Sequence, residues 1–136
     1  MRNIRILLRS MEPKRFLKFC IVGITGVGVN LGMYLLLTRG LLVFYLLSSA
    51  IAIEVSILSN FTLNNFWTFR DRTSQSFFQR VTRFNLICVV GAVINVTALA
   101  VLHGHFGFGD VVSQLVGIGA ATLWNYGLNI TWTWSR

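Results

Sequence analysis

Residues 60–69 read Asn60-Phe-Thr-Leu-Asn-Asn-Phe-Trp-Thr-Phe69, and residues 125–134 read Asn125-Tyr-Gly-Leu-Asn-Ile-Thr-Trp-Thr-Trp134. Asn, Leu, Asn, Trp and Thr coincide, and the remaining aromatic positions are similar. Each copy closes a long apolar run. A second echo lies upstream: Arg15-Phe16 through Cys20 to Gly23 resembles Arg83-Phe84 through Cys88 to Gly91. The two echoes are offset by different amounts, which predicts a small insertion between the halves. The chain therefore divides into halves of about 16–70 and 84–136, joined by a linker of about 70–83 and preceded by a basic segment, 1–15.

Outward from the motif, four stretches are nearly free of charge: about 16–38, 42–66, 84–102 and 111–130. Each has about the 20 residues needed to cross roughly 30 Å of hydrocarbon as a helix. Four strands cannot close a barrel, and lipid gives backbone groups no other partner, so these are helices. Pro13 precedes the first span, and no proline lies within any of them. The predicted fold is an all-α membrane protein, with four transmembrane helices as two helical hairpins. Two spans per half return the chain to its starting side, so the halves are expected to be parallel repeats about the membrane normal.

Only 12% of residues are charged, against about 25% in an average soluble domain. Most lie between or before the apolar runs. Arg2, Arg5, Arg9, Lys14 and Arg15 precede the first span, with Lys18 just inside it. Arg70, Arg72, Arg80 and Arg83 separate the second and third, and Arg136 ends the sequence. The two opposite loops hold Arg39. Lys and Arg collect on the cytoplasmic side, so both termini and the middle linker are expected there. The net charge of +8 is placed beside apolar runs, which points to anionic lipid headgroups and away from nucleic acid. The first apolar run is too long for a signal peptide's core and reads as a retained span. Residues 1–11 and 77–84 each place basic and apolar residues on different helical faces and are expected to lie in the inner interface.

Asn60, Asn64 and Trp67 fall at i, i+4 and i+7 and are expected on one helix face, as are Asn125, Asn129 and Trp132. These amides suit sugar hydroxyls or a phosphate, or equally hydrogen bonds between helices. Glu54 is the carboxylate inside a span. It is either a functional group or a glutamate kept protonated by burial. Its register partner in the second half is Gly119. Asn30 and Asn95 sit mid-span, and Gly28-x-x-x-Gly32 with Gly23, Gly26, Gly117 and Gly119 predicts close helix approach. Lys14, Arg15, Lys18, Arg80 and Arg83 serve as interface anchors or collect a lipid phosphate. Cys20 and Cys88 read as small apolar helix residues, and His103 and His105 as loop residues. No phosphate-cradling glycine loop, zinc motif or Ser-His-Asp set is present, so neither a catalytic role nor a cofactor is expected.

With both motif copies, the Arg-Phe starts and four spans in view, the chain from about residue 14 to 134 resembles the GtrA-like family. That resemblance implies a role in cell-envelope polysaccharide synthesis in a bacterial inner membrane. It also implies movement of a polyprenyl-phosphate-linked monosaccharide from the cytoplasmic to the outer leaflet, with a membrane glycosyltransferase as partner. The motif positions it carries over are Asn60, Asn64, Trp67, Asn125, Asn129 and Trp132. Where the family often has a basic residue after the second Asn, this chain has Asn65 and Ile130, which moves the expected phosphate contacts to Arg15, Lys18 and Arg83. A groove between the hairpins, lined by these amides with Asn30, Asn95 and Glu54, would receive the headgroup. Four helices enclose little volume, which leaves room for a homo-oligomer. The alternatives are an adaptor that anchors a glycosyltransferase and a small proton-coupled drug exporter.

Overall fold

Pro13 lacks an N–H, and the first turn of a helix is where that absence is harmless. Helix α1 starts there and runs Pro13–Leu35. The computed structural model describes residues 12–135. Three further helices follow: α2 Tyr45–Leu63, α3 Phe77–Leu99 and α4 Asp110–Leu128. The amphipathic segment expected over 1–11, and Arg136, lie outside the described residues.

Every helix ends by widening into a π-helical turn: Leu36–Gly40, Asn64–Thr68, Ala100–His105 and Asn129–Thr133. With those turns, Pro13–Gly40, Tyr45–Thr68 and Phe77–His105 are long and apolar enough to cross a membrane. The remaining helix, α4, equals α2 in length at 19 residues and ends in a turn of the same five. Its apolar run is interrupted by Gln114, Asn125 and Asn129. Residues 77–84 form the first turns of α3 and not a separate helix. Ser76 Oγ accepts from the Gln79 backbone N–H (3.3 Å) and caps α3, and no helix breaker interrupts the chain to Leu99.

The described residues form two compact units, 12–73 and 74–135. Each is a helical hairpin, α1 on α2 and α3 on α4. Their buried positions correspond at one constant spacing of 65 residues. Arg15 pairs with Arg80, Phe19 with Phe84, Val22 with Ile87, Ser48 with Ser113, Phe61 with Tyr126, Thr68 with Thr133 and Phe69 with Trp134. The expected insertion does not exist. The upstream echo was aligned three residues out of register: Arg83 corresponds to Lys18, and Cys88 to Gly23 rather than to Cys20. The two Arg-Phe pairs therefore do not occupy corresponding positions.

Lipid is as apolar as leucine, so hairpins in it are held by close packing and polar contacts rather than by a hydrophobic drive. In the first hairpin the Asn60 amide lies directly on Gly26, and in the second the Asn125 amide lies on Gly91. A Cβ at either glycine would overlap the amide. Gly117 receives Asn95 in the same way. Ser56 Oγ adds a 2.7 Å hydrogen bond to the Gly26 carbonyl oxygen, from α2 to α1. Of the glycines expected to permit approach, Gly26 and Gly117 do so. A Cβ added at Gly23, Gly28, Gly32 or Gly119 would meet nothing within 4 Å. The outward faces carry Leu17, Ile24, Val27 and Leu31 on α1 and Val89, Val93 and Val96 on α3, all exposed. Exposed apolar surface of that extent suits lipid rather than water.

A second tie closes the first hairpin at its ends. Arg15 Nη1 donates to Asp71 Oδ1 and to the Thr68 carbonyl oxygen, both at 2.8 Å, and Nη2 donates to Asp71 Oδ2 at 3.0 Å. The guanidinium is buried and also stands 5.7 Å from the Phe69 ring centre. The Arg15 hydrogen bond is the main force holding the Asp71 carboxyl down at about 2, against a smaller opposing effect of desolvation.

Two outcomes follow. Gly26→Val or Gly91→Val should destabilise the protein in detergent by about 1–3 kcal/mol, as overpacked sites do, while Gly28→Val should stay within about 0.5 kcal/mol; thermal unfolding of the purified variants measures both. Asp71 has a depressed folded pKa, so its contribution is complete above the ordinary carboxylate range and is lost as pH falls from about 4 towards 2. The carboxylate is half-exposed, which limits that contribution to about 1 kcal/mol, and Asp71→Asn should remove this part of the acid sensitivity in a pH series of melting curves.

Candidate functional site

The ten-residue motif spans a change of helix type. Asn60 and Asn125 lie in α-helix, whereas Asn64–Thr68 and Asn129–Thr133 form the π-turns. The turns close through the Phe69 N–H to the Asn64 carbonyl and the Trp134 N–H to the Asn129 carbonyl, both 2.8 Å. A π-turn takes more residues per revolution than an α-helix, so the i, i+4, i+7 rule fails across it. Asn64 and Asn129 are fully buried, while Trp67 and Trp132 swing outward and are about 40% exposed. The motif's amides and tryptophans therefore do not share one face.

The buried amides serve the hairpin interior. Thr133 Oγ1 donates to Asn129 Oδ1 at 2.7 Å. Asn65 is buried, as is its counterpart Ile130. Asn64 Oδ1, Asn129 Nδ2, Asn60 Oδ1, Asn95 Oδ1 and Asn125 Oδ1 are buried without a hydrogen-bond partner. Unmet amide groups inside hydrocarbon-spanning helices are costly, and they mark where a polar ligand or water would be welcome.

An open groove of about 360 Å³ lies in the first hairpin, lined among others by Gly23, Gly26, Asn30, Tyr34, Ser56 and Asn60. It gathers Asn30 and Asn60 from the expected set. Glu54 is exposed on α2 and does not line it. The reason is angular: Ser56 and Asn60, one turn apart, face α1, and Glu54 lies two residues before Ser56, on a different side of the helix. Tyr34 and Ser56 were missed from sequence. For Ser56 the available signal was a small polar residue four before Asn60.

At the opposite, motif-bearing ends of the helices stand cations and aromatic rings. Lys18 Nζ is 5.4 Å from the Trp67 ring centre, and Arg83 stands 5.4 Å from that of Trp132. These are corresponding pairs in the two hairpins. Arg83 Nη1 also donates to the Trp132 carbonyl oxygen at 2.9 Å and to Gln75 Oε1. Cation–π pairing at a membrane interface holds charge level with lipid headgroups. Of the three expected phosphate contacts, Lys18 and Arg83 are so placed, while Arg15 is engaged by Asp71. Its counterpart Arg80 is equally buried, at 6% exposure. Near the far loop, His103 Nδ1 lies 3.0 Å from both Asp110 Oδ1 and the Phe108 carbonyl. Among the described residues no group of three or more His, Cys, Asp or Glu side chains could hold a metal, and neither cysteine is in a disulfide.

Two comparisons bear on this arrangement. The chain is 34% identical over 131 residues to a dolichol-phosphate mannosyltransferase of Pyrococcus furiosus. That alignment covers 96% of this chain but 37% of the relative. Residues 18–134 match the GtrA/DPMS transmembrane domain. Both motif copies, both cation–tryptophan pairs and the groove fall within the matched stretch, and the chain belongs to the GtrA/DPMS transmembrane-domain family.

Proposed function

We propose that the chain handles a polyprenyl-phosphate-linked monosaccharide and moves its headgroup from the cytoplasmic to the outer leaflet. The observation that carries this reading is the groove of the first hairpin. It sets Asn30, Ser56 and Asn60 along an open groove in helices long and apolar enough to cross hydrocarbon, where polar side chains suit a polar headgroup. A sugar loses its water on crossing, and amide and hydroxyl groups replace those hydrogen bonds. The prenyl tail stays in lipid against the exposed Leu and Val faces. In each hairpin taken by itself a cation held over a tryptophan, Lys18 over Trp67 or Arg83 over Trp132, supplies positive charge for the phosphate. The basic linker of the sequence supports a cytoplasmic setting for these cation-bearing helix ends, and α4, equal to α2 in length, would serve as a fourth span. The lipid named in the relative's description, a dolichol phosphate, is of the same chemical class.

A second reading is favoured by one fact: the relative carries the matching stretch within a longer chain. On that reading the membrane domain anchors a glycosyltransferase and moves nothing. The drug-exporter alternative has little left to rest on, since Glu54 lies outside the groove.

Proteoliposomes separate the first two. A water-soluble short-prenyl phosphoryl monosaccharide should enter vesicles containing the protein, and Asn30→Leu should slow its uptake by about three- to tenfold, the effect of one lost neutral hydrogen bond. Uptake at the protein-free rate, with a glycosyltransferase still recruited to the vesicles, would decide for the anchor.

A further inference from the structure

The two hairpins share one register, yet their buried arginines differ in how they are satisfied. Arg15 grips Asp71 through two parallel N–H···O bonds and also donates to the Thr68 carbonyl. Arg80 sits at the same place in the second hairpin and is more than nine-tenths buried, with no hydrogen-bond partner for Nε or Nη1. The position corresponding to Asp71 is Arg136, of opposite charge, which lies outside the described residues. A buried guanidinium with unmet donors is costly unless an anion meets it.

The first hairpin shows what that scaffold holds. Its guanidinium, buried at the start of a helix beside Phe69, takes two oxygens of one anion side by side. A phosphate presents two oxygens with the same fork-to-fork match. The aromatic pair of the first hairpin recurs in the second: Phe84 packs edge-on against Trp134 with ring centres 5.6 Å apart, as Phe19 does against Phe69 at 6.3 Å. Arg83 stands one turn further along α3 on Trp132.

We propose that the second hairpin holds a phosphate-binding site centred on Arg80, and that the corresponding site in the first hairpin is permanently filled by Asp71. The repeat is thus split into one closed, structural copy and one open, ligand-binding copy. The ligand is a phosphate group, either on a lipid or free in solution. The site deepens the lipid-handling reading and rests on it for the lipid source alone.

Binding to the purified full chain in nanodiscs tests the proposal, with geranyl phosphate and inorganic phosphate as probes and calorimetry as the readout. Wild type should bind geranyl phosphate, and Arg80→Gln should weaken it at least tenfold. Arg136→Asp puts a carboxylate at the sequence position that corresponds to Asp71, should compete for Arg80, and should lower affinity by a similar factor with no loss of melting temperature. That second variant decides the matter if Arg80→Gln does not fold. Affinity unchanged in the folded variants overturns the Arg80 site while leaving lipid handling intact. Inorganic phosphate binding as tightly as geranyl phosphate, and lost in the same variants, supports the site and counts against a lipid source. No binding of either probe to wild type overturns the site.

Discussion

An asparagine amide seated on a glycine of the neighbouring helix is the contact on which each hairpin depends. Asn60 on Gly26 and Asn125 on Gly91 bring two backbones close where lipid supplies no hydrophobic push. The small residue sets the distance and the amide fills the space left. Once those contacts fix the rotation of α2 against α1, Ser56 reaches the Gly26 carbonyl, and Asn30 is drawn to the same groove. The outward faces are then left to Leu, Ile and Val.

The motif's second half does different work. Its π-turns bury Asn64 and Asn129 and release Trp67 and Trp132 to the surface, where each tryptophan meets a cation from the start of the preceding helix. A single ten-residue pattern thus ends a span, packs its interior and sets a positively charged rim. Repetition doubles the device, but the two copies are not chemically alike. Asp71 neutralises one buried arginine, and Ser56 stands where the second half has Ala121.

Much of the architecture was legible from residues alone. Charge placement, four apolar runs and the doubled motif gave an all-α chain of two hairpins, because segregated polarity and a missing backbone partner in lipid leave little choice. The cation-rich helix starts were visible for the same reason. Lys18 and Arg83 could be singled out, although their equivalence was hidden by the local Arg-Phe echo; burial shows that the motif's spacing of 65 residues holds at the helix starts as well.

What the tertiary structure decided concerns angles and partners. Which glycines meet a neighbour depends on the rotation of the helices, so Gly26 and Gly117 were indistinguishable in sequence from Gly28 and Gly32. The side of α2 that faces α1 put Glu54 outside the groove and Ser56 within it. The π-turns, which no residue type announces, parted the motif's tryptophans from its amides. Sequence determined that polar groups are placed among spans and how they are spaced along the chain. Only packing determined which of them meet, because a helix turns about 100° per residue and small changes in its winding redirect every side chain that follows.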